Sequence, residues 1–483
     1  MKLKALLRGV EGLEVYGSKE VEISGLTADS RIAAPGNLFV AKRGTALDGT
    51  QFVGAAVSAG AVAVLTDVYD PTVAATQIVV KQVAELEPFL ASRFFGHPSR
   101  ELFVAGITGT KGKTTTTYLT QHLLNGLGKQ SALISTVETI LGGEHRPSTL
   151  TTHSVVQNHK FLKEAAVRGD KAVALEVSSH GLAQHRVDAV EFDVAVCTNI
   201  FPDHLDYHHT MEEYVSSKGK LFELLASSSK KKKRVVVNVD DERAYSLRRD
   251  PCWTFGIENN ADIRASDVTF DATGTRFMVS FQNQQQLFTS TLMGRFNVYN
   301  LLAAMSIGLH LGATLAQIAP ILATFRTAPG RLQQILNPHG ILTFVDYAHN
   351  GEALASVLRT LREIAKKRII CLFGCGGNRD PARRPEMARA AEQWADITVV
   401  TSDNPRTEDP MRIIEDILGG FKFPEKAVVV PDRREAIAKA ISLAQAGDIV
   451  LIAGKGHEKV QIFGQKTVPF DDVVEAEKVL KLH

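Results

Sequence analysis

The sequence predicts an α/β protein of three domains: an amino-terminal domain, a central P-loop ATPase-type domain on a mostly parallel sheet, and a Rossmann-like C-terminal domain. Three observations lead there. The chain has 483 residues, too many for one hydrophobic core. Short, continuously apolar runs alternate with helix-length stretches over two long segments, the pattern of parallel strands buried on both faces. One of those runs, Phe103–Ile107, leads through Thr108-Gly109-Thr110-Lys111-Gly112 into Lys113-Thr114-Thr115: a strand, a glycine turn and a helix start.

Residues 1–98 read as the first domain, built of short strands and Gly/Ala-rich helices. Gly96-His97-Pro98-Ser99 reads as a linker, because proline and the residue before it disfavour helix. Residues 99–329 form the second domain, with strands at Phe103–Ile107, Ala132–Ile134, Ala172–Val177, Val194–Cys197 and Val235–Val237, closed by Thr327-Ala328-Pro329-Gly330. Residues 330–483 repeat the pattern, with strands at Leu342–Val345, Ile369–Phe373, Ile397–Val400, Val428–Val430 and Ile449–Ile452. Polar or glycine-rich turns follow: Asp346-Tyr347-Ala348-His349, Gly374-Cys375-Gly376-Gly377, Asp403-Asn404-Pro405-Arg406 and Gly454-Lys455-Gly456-His457-Glu458. Open α/β sheets bind ligands at the carboxyl ends of their strands, so these turns should ring one site. Gly374 and Gly376 are not a dinucleotide fingerprint, since Arg379 stands at the third glycine position.

The near-balanced formal charge of +2 argues against a dedicated nucleic-acid or membrane-surface binder. The one basic block, Lys230–Arg234, reads as a solvated surface loop between Ser227-Ser228-Ser229 and the next strand. Four scattered cysteines make no disulfide framework or zinc spacing, so reduced thiols in a cytoplasmic protein are expected. The amino terminus lacks a signal-peptide pattern, and the apolar stretch 53–65 is too short to cross a membrane.

Chemistry concentrates in the second block. Backbone N–H groups of the glycine turn and the helix N-terminus attract phosphate, Lys113 adds a point charge, and the Thr114 hydroxyl can ligate Mg²⁺. The strict P-loop pattern wants glycine at 107, where this chain has Ile107. The shorter form Gly109-Thr110-Lys111-Gly112-Lys113-Thr114-Thr115 takes its place. Glu176 follows a buried strand in Glu176-Val177-Ser178-Ser179-His180, and Asn199, Asp203, His204, Asp206 and His208 crowd one loop. A carboxylate at a strand end beside a phosphate loop is the expected second anchor for Mg²⁺.

These motifs, with Gly294-Arg295-Phe296-Asn297-Val298-Tyr299-Asn300, Pro329-Gly330-Arg331 and Asp346-Tyr347-Ala348-His349, resemble the Mur ligase family. Its members are ATP-dependent amide ligases that build the peptide of the bacterial cell-wall precursor. The motifs occur in family order from Asp29-Ser30-Arg31 to Glu458. The resemblance implies a UDP-binding domain, a central ATPase domain and an amino-acid domain. Within the family, the chain is similar to the branch that adds a diamino acid to UDP-N-acetylmuramoyl-L-alanyl-D-glutamate. Ser30, Thr45, Ala46 and Leu47 would then hold the uridine nucleotide, and Thr151, Thr152, Ser178, Gln184 and Arg186 the sugar and peptide. Arg379, Asp403, Asn404, Pro405, Arg406, Gly454 and Glu458 would hold the amino acid. Asn-Pro-Arg at 404–406 resembles the version that selects meso-diaminopimelate, with arginines on its carboxylates and Asp403 and Glu458 on its amine. Four positions depart from the family pattern: Leu150, Asn350, Gly351 and Asn378.

The implied reaction has two steps. The γ-carboxylate of D-Glu attacks ATP to give an acyl phosphate, and the amine of the incoming amino acid then displaces phosphate. Lys113 and two Mg²⁺ ions would neutralise charge, with Thr114 and Glu176 on one ion and His204 on the other. A further implied ligand is Lys218 carbamylated by carbon dioxide, with Lys220 the nearby alternative. Asn297, Asn300, Arg331, Asp346 and His349 would reach the nucleotide, with Pro329-Gly330 as a hinge for closure. The resemblance implies a monomer working in the cytoplasm, in the pathway that serves cell shape and division. L-Lysine is the alternative amino acid. Other ligases of this architecture, or a P-loop switch that hydrolyses ATP alone, are the alternative functions.

Overall fold

The computed structural model describes residues 1–43, 48–271 and 274–482. The chain forms three separate sheets with helices, one for each expected domain, and a small hairpin. By compactness it divides into two units. The first is Met1–Ala265 with Val279–Gln286 and Tyr299–Ile321; the second is Ser266–Met278 with Leu287–Val298 and Leu322–His483.

In the first unit, β1 (Leu13–Tyr16), β2 (Gly25–Thr27), β3 (Asn37–Val40), β4 (Ala63–Thr66) and β5 (Thr76–Val80) make a five-stranded sheet of order β1-β5-β4-β3-β2. Only β1 runs antiparallel to its neighbour. The apolar stretch 53–65 proves to be a short helix, Val53–Ser58, followed by the start of β4. The expected linker is a tight connection, in which Pro98 and Ser99 are buried and His97 takes a left-handed conformation.

The next strands are β6 (Phe103–Thr108), β7 (Ser131–Ile134), β8 (Glu138–Leu141), β9 (Glu144–Pro147), β10 (Ala172–Glu176), β11 (Val194–Cys197), β12 (Arg234–Asn238) and β13 (Cys252–Gly256). They lie in the order β13-β12-β11-β6-β10-β7-β8-β9, parallel except for the β8 and β9 edge. Three further strands, Ile263–Asp271, Gly274–Phe281 and Gln284–Ser290, continue the sheet beyond β13. Because β6 is central and its neighbours' side chains are buried on both faces, the loop leaving it is held from both sides. Gly106 marks one close approach: a Cβ there would stand 2.7 Å from the Phe192 ring.

The basic block departs from expectation. Lys231 and Lys232 are exposed, but Lys230 bonds the Leu102 carbonyl and pairs with Asp193 at 3.1 Å. Lys233 donates to the carbonyls of Ala226 and Ser228, and the Arg234 guanidinium stacks on Trp253. Long cationic side chains lay their stems on apolar surface while keeping the head paired. The block is therefore half packing, half solvated, rather than a free loop.

In the second unit the sheet order is Gln333–Ile335, Leu342–Asp346, Ile449–Ala453, Ile369–Phe373, Ile397–Val400 and Val428–Val429. All neighbours are parallel except the first pair. The crossover places the ends of four strands, at Asp346, Ala453, Phe373 and Val400, side by side. Helices Gly351–Ile364, Arg383–Trp394 and Pro410–Leu418 bury Leu354, Leu358, Met387 and Ile414 on one face. Arg433–Ser442 and the last helix bury Ile437, Ile441 and Leu480 on the other.

Candidate functional sites

The first site grows from the end of β6. Gly109 has φ +143, and a Cβ there would lie 1.9 Å from the Thr198 hydroxyl; Gly112 has φ +81, and a Cβ would lie 2.2 Å from the Asn300 amide oxygen. Only glycine fits both positions. The turn is tied to the loop after β11. Thr110 N–H donates to the Asn199 carbonyl at 2.8 Å, and Lys111 N–H to the Asn199 side-chain oxygen at 2.8 Å. The helix Lys113–Gly126 follows. Four consecutive threonines, Thr114–Thr117, are poor helix formers, yet all are buried, and the hydroxyls of three find partners. Thr114 donates to Glu176, Thr116 to Asn300, and Thr117 back to the Lys113 carbonyl. Lys113 Nζ folds onto the carbonyls of Gly109 and Thr110, both at 2.9 Å.

Glu176 is buried at the end of β10. One oxygen accepts the Thr114 hydroxyl at 2.9 Å, and the other accepts the Thr136 N–H at 2.9 Å. The parallel pairing of β10 with β6 sets this meeting, because it brings the two strand ends level.

Lys218 lies on the helix Met211–Ser227 at 1 % exposure, and its Nζ donates to the Gly109 carbonyl at 2.8 Å over the face of Tyr214. Burial, then repulsion from Lys113, holds this amine well below the ordinary lysine value. Lys220, two residues on, instead lines an open cleft of about 820 Å³ with Tyr207, His209 and Glu213. His204 adopts φ +55 and half-exposes its ring 4.8 Å from His180; burial lowers its pKa. His208 is buried between the Ser179 and Ser217 hydroxyls, and burial together with the neighbouring His180 and Lys218 pushes it down to about 4. Among the described residues, no cluster of three or more His, Cys, Asp or Glu side chains could hold a metal. The candidate donors are therefore mixed: a hydroxyl, a carboxylate, an imidazole and the Lys218 amine.

Close to Glu176, the structure gathers five residues expected to meet sugar and peptide. Thr151 accepts from Thr136, Thr152 and Ser178 share a hydrogen bond, and Arg186 bonds the Thr152 carbonyl at 2.7 Å and the Gln184 side chain at 2.7 Å. Gln184 in turn donates to the Tyr207 hydroxyl. Ser30 opens a short 3-10 turn capped by Asp29, on the loop between β2 and β3. Thr45, Ala46 and Leu47 lie outside the described residues. Asn300 sits on the phosphate turn through Gly112 and Thr116.

The second unit carries its own site at the four adjacent strand ends. Asp346 is buried, its carboxylate accepting the Leu332 and Ala348 N–H groups at 2.6 and 2.8 Å, and burial raises its pKa against the pull of Arg331. The Arg331 guanidinium lies over the Tyr347 ring, which also meets the rings of His349 and His457. Asn297, buried at the start of its helix, donates to the Met293 carbonyl at 2.8 Å. Asn404 donates to Glu458 at 2.7 Å, and Arg406 to the Gly377 carbonyl at 2.7 Å. A Cβ on Gly376 would lie 3.0 Å from the Arg406 guanidinium and 3.7 Å from Arg379; one on Gly454 would lie 2.9 Å from the Asp403 carboxylate. Arg379, Asp403, Asn404, Pro405, Arg406, Gly454 and Glu458 thus line one ring, as the strand-end rule requires.

Two departures from the family pattern have local reasons. Asn378 holds φ +53, a left-handed conformation that asparagine tolerates, and its side chain ties Thr407 to this loop. Asn350 caps the helix Gly351–Ile364 by accepting from Ala353 N–H at 2.8 Å. Sequence reasoning missed Arg433, fully buried with a two-pronged bond to Asp472 and a further bond to the Ala453 carbonyl. It ties the end of the central strand to the last helix.

Known proteins align with this whole arrangement. Residues 107–308 match the Mur ligase middle domain, 330–456 the Mur ligase glutamate ligase domain, and 22–94 the Mur ligase family catalytic domain. The chain is 39 % identical to the UDP-N-acetylmuramoyl-L-alanyl-D-glutamate--2,6-diaminopimelate ligase of Geobacillus thermodenitrificans, covering 100 % of this chain and 99 % of that one. It is 42 % identical to the like-named enzyme of Geobacter metallireducens, over 98 % and 97 %. A solved structure of a ligase with that name superposes with a TM-score of 0.71 at 31 % identity, covering 100 % and 99 % of the two chains.

Proposed function

The chain belongs to the Mur ligase family, and from that premise we propose that it joins meso-2,6-diaminopimelate to the D-Glu γ-carboxylate of UDP-N-acetylmuramoyl-L-alanyl-D-glutamate at the expense of ATP. We read residues 1–98, 99–329 and 330–483 as its nucleotide-sugar, ATPase and amino-acid domains. Ser30 and the Thr45–Leu47 segment are assigned to the uridine nucleotide.

The observation that carries the choice of amino acid is the ring in the second unit. The Arg406 guanidinium and the stem of Arg379 flank Gly376, and the Glu458 carboxylate stands in the same ring. The far end of diaminopimelate carries one carboxylate and one amine, which this charge pattern complements. Lysine lacks the far carboxylate and would leave an arginine without its partner, a loss that discriminates strongly.

Phosphoryl transfer asks for positioning and charge neutralisation. The phosphate turn leads into the N-terminus of the helix Lys113–Gly126, which attracts anions, and Lys113 can swing from two carbonyls to a phosphate oxygen. Asn297, Asn300, Arg331, Asp346 and His349 are assigned to the nucleotide. Thr114 and Glu176 present hard oxygens 2.9 Å apart, which suits Mg²⁺; His204 and Lys218 would serve a second ion, Lys218 as its carbamate. Bound Mg²⁺ would spread the charge that builds on the phosphate oxygens. Arg186, Gln184, Thr151, Thr152 and Ser178 orient the acceptor peptide so that its γ-carboxylate reaches the phosphate. The amine of diaminopimelate, held by the second unit, then attacks the acyl carbon and phosphate leaves.

Phosphate release by the purified protein tests this reading. Release should need ATP, the nucleotide-sugar dipeptide and diaminopimelate together. Release with ATP alone would return the chain to a simple ATPase.

A further inference from the structure

Lys455 has no solvent exposure, yet it is a cation beneath the amino-acid ring. Its Nζ donates to the Asn404 side-chain oxygen at 3.0 Å and to Glu458 Oε2 at 3.1 Å. The ammonium is a pure donor, and the other group on the Asn404 oxygen is the Ile462 N–H at 3.1 Å, also a donor. Two donors fix which end of the Asn404 amide is oxygen. The amide nitrogen must then face outward, and it donates to the same Glu458 Oε2 at 2.7 Å. Oε2 is thereby engaged twice, while the Glu458 side chain stays about a third exposed.

A buried lysine is costly unless paired. Glycines at both sides admit it: Gly454 at φ +112 and Gly456 at φ +53 form a turn that points the stem inward at the end of the central strand. We propose that Lys455 is a positioning residue for amino-acid selection: it locks the Asn404 amide and one Glu458 oxygen so that the other oxygen reads the distal amine of the diamino acid. This rests on the diaminopimelate reading above. A carboxylate held in place loses less freedom on binding than a free one, so its contribution falls on the ligand that carries the matching amine.

The test compares two acceptor amines that share the reacting centre and the distal carboxylate and differ only in the distal amine: diaminopimelate and 2-aminopimelate. In the native enzyme, kcat/KM should favour diaminopimelate. In Lys455→Met that preference should fall about tenfold, through KM for diaminopimelate, with KM for ATP unchanged. A merely structural lysine would lower kcat/KM for both amines alike; an unchanged preference overturns the proposal. Lys455→Gln, which keeps a donor without the charge, replaces the methionine variant if that fails to fold. Should neither fold, Glu458→Gln must erase the same preference, and its persistence would overturn the proposal. Absence of any diaminopimelate-dependent turnover in the native enzyme would instead defeat the underlying assignment of substrate.

Discussion

Lys218 Nζ donates to the Gly109 carbonyl at 2.8 Å, so a buried lysine is seated on the phosphate turn itself. The helix Met211–Ser227 supplies the side chain, and φ +143 at Gly109 turns the carbonyl toward it. An amine whose proton affinity is lowered by burial and by Lys113 is free to add carbon dioxide, forming an N–C bond and releasing a proton. Protein incubated with ¹³C-bicarbonate should show a carbamate carbon by NMR. The signal should vanish in Lys218→Ala and persist in Lys220→Ala. A signal that survives loss of Lys218 would place the modification elsewhere.

The Thr114–Glu176 contact makes a second prediction. Glu176→Gln keeps the shape of the side chain but removes the charge that a divalent cation needs. Ligation should fall on the order of 100-fold or more, and the Mg²⁺ concentration for half-maximal turnover should rise. Activity within twofold of native would remove Glu176 from the chemistry.

Arg433 and Asp472 are both fully buried and joined by two bonds of 2.7 Å. Arg433→Met leaves an uncompensated carboxylate and should lower stability by about 3–5 kcal/mol. Adding Asp472→Leu should restore most of the loss. Denaturant unfolding of the second unit measures both, and equal destabilisation by the single and double variants would contradict the pairing.

His159 is fully buried and its pKa is pushed down to about 4 by burial. A group whose folded value lies below its unfolded value binds fewer protons when folded. Its contribution is complete above pH 6.5 and is lost as pH falls toward 4, to about 3 kcal/mol. Stability should therefore fall steeply across that window. In His159→Gln, less stable at neutral pH, the slope should shrink by one proton; an unchanged slope would exonerate this histidine.

The parts of this protein that sequence made legible are those set by local pattern. The strand at Phe103–Ile107, its glycine turn and the four strand-end turns of the last domain were readable because apolar runs and glycines announce them. Their convergence followed from the strand-end rule alone. What escaped were partners far apart in the chain. Arg433 and Asp472 each sit at a helix start and read as surface charge or cap. Lys455 reads as part of a glycine turn, and nothing local says its stem points inward. Lys230 reads as solvated because its partners, Leu102 and Asp193, lie just before two strands distant in the chain. The role of Asn300 against Gly112 needs a fold to bring residues 112 and 300 together.

The central claim is tested most directly by competition. Purified protein, ATP, Mg²⁺ and UDP-N-acetylmuramoyl-L-alanyl-D-glutamate are mixed with equal meso-diaminopimelate and L-lysine, and the product is identified by mass. The diaminopimelate product should exceed the lysine product by about 100-fold or more, an excess lost in Arg406→Ala. A lysine product in comparable amount, or no tripeptide product at all, would contradict it.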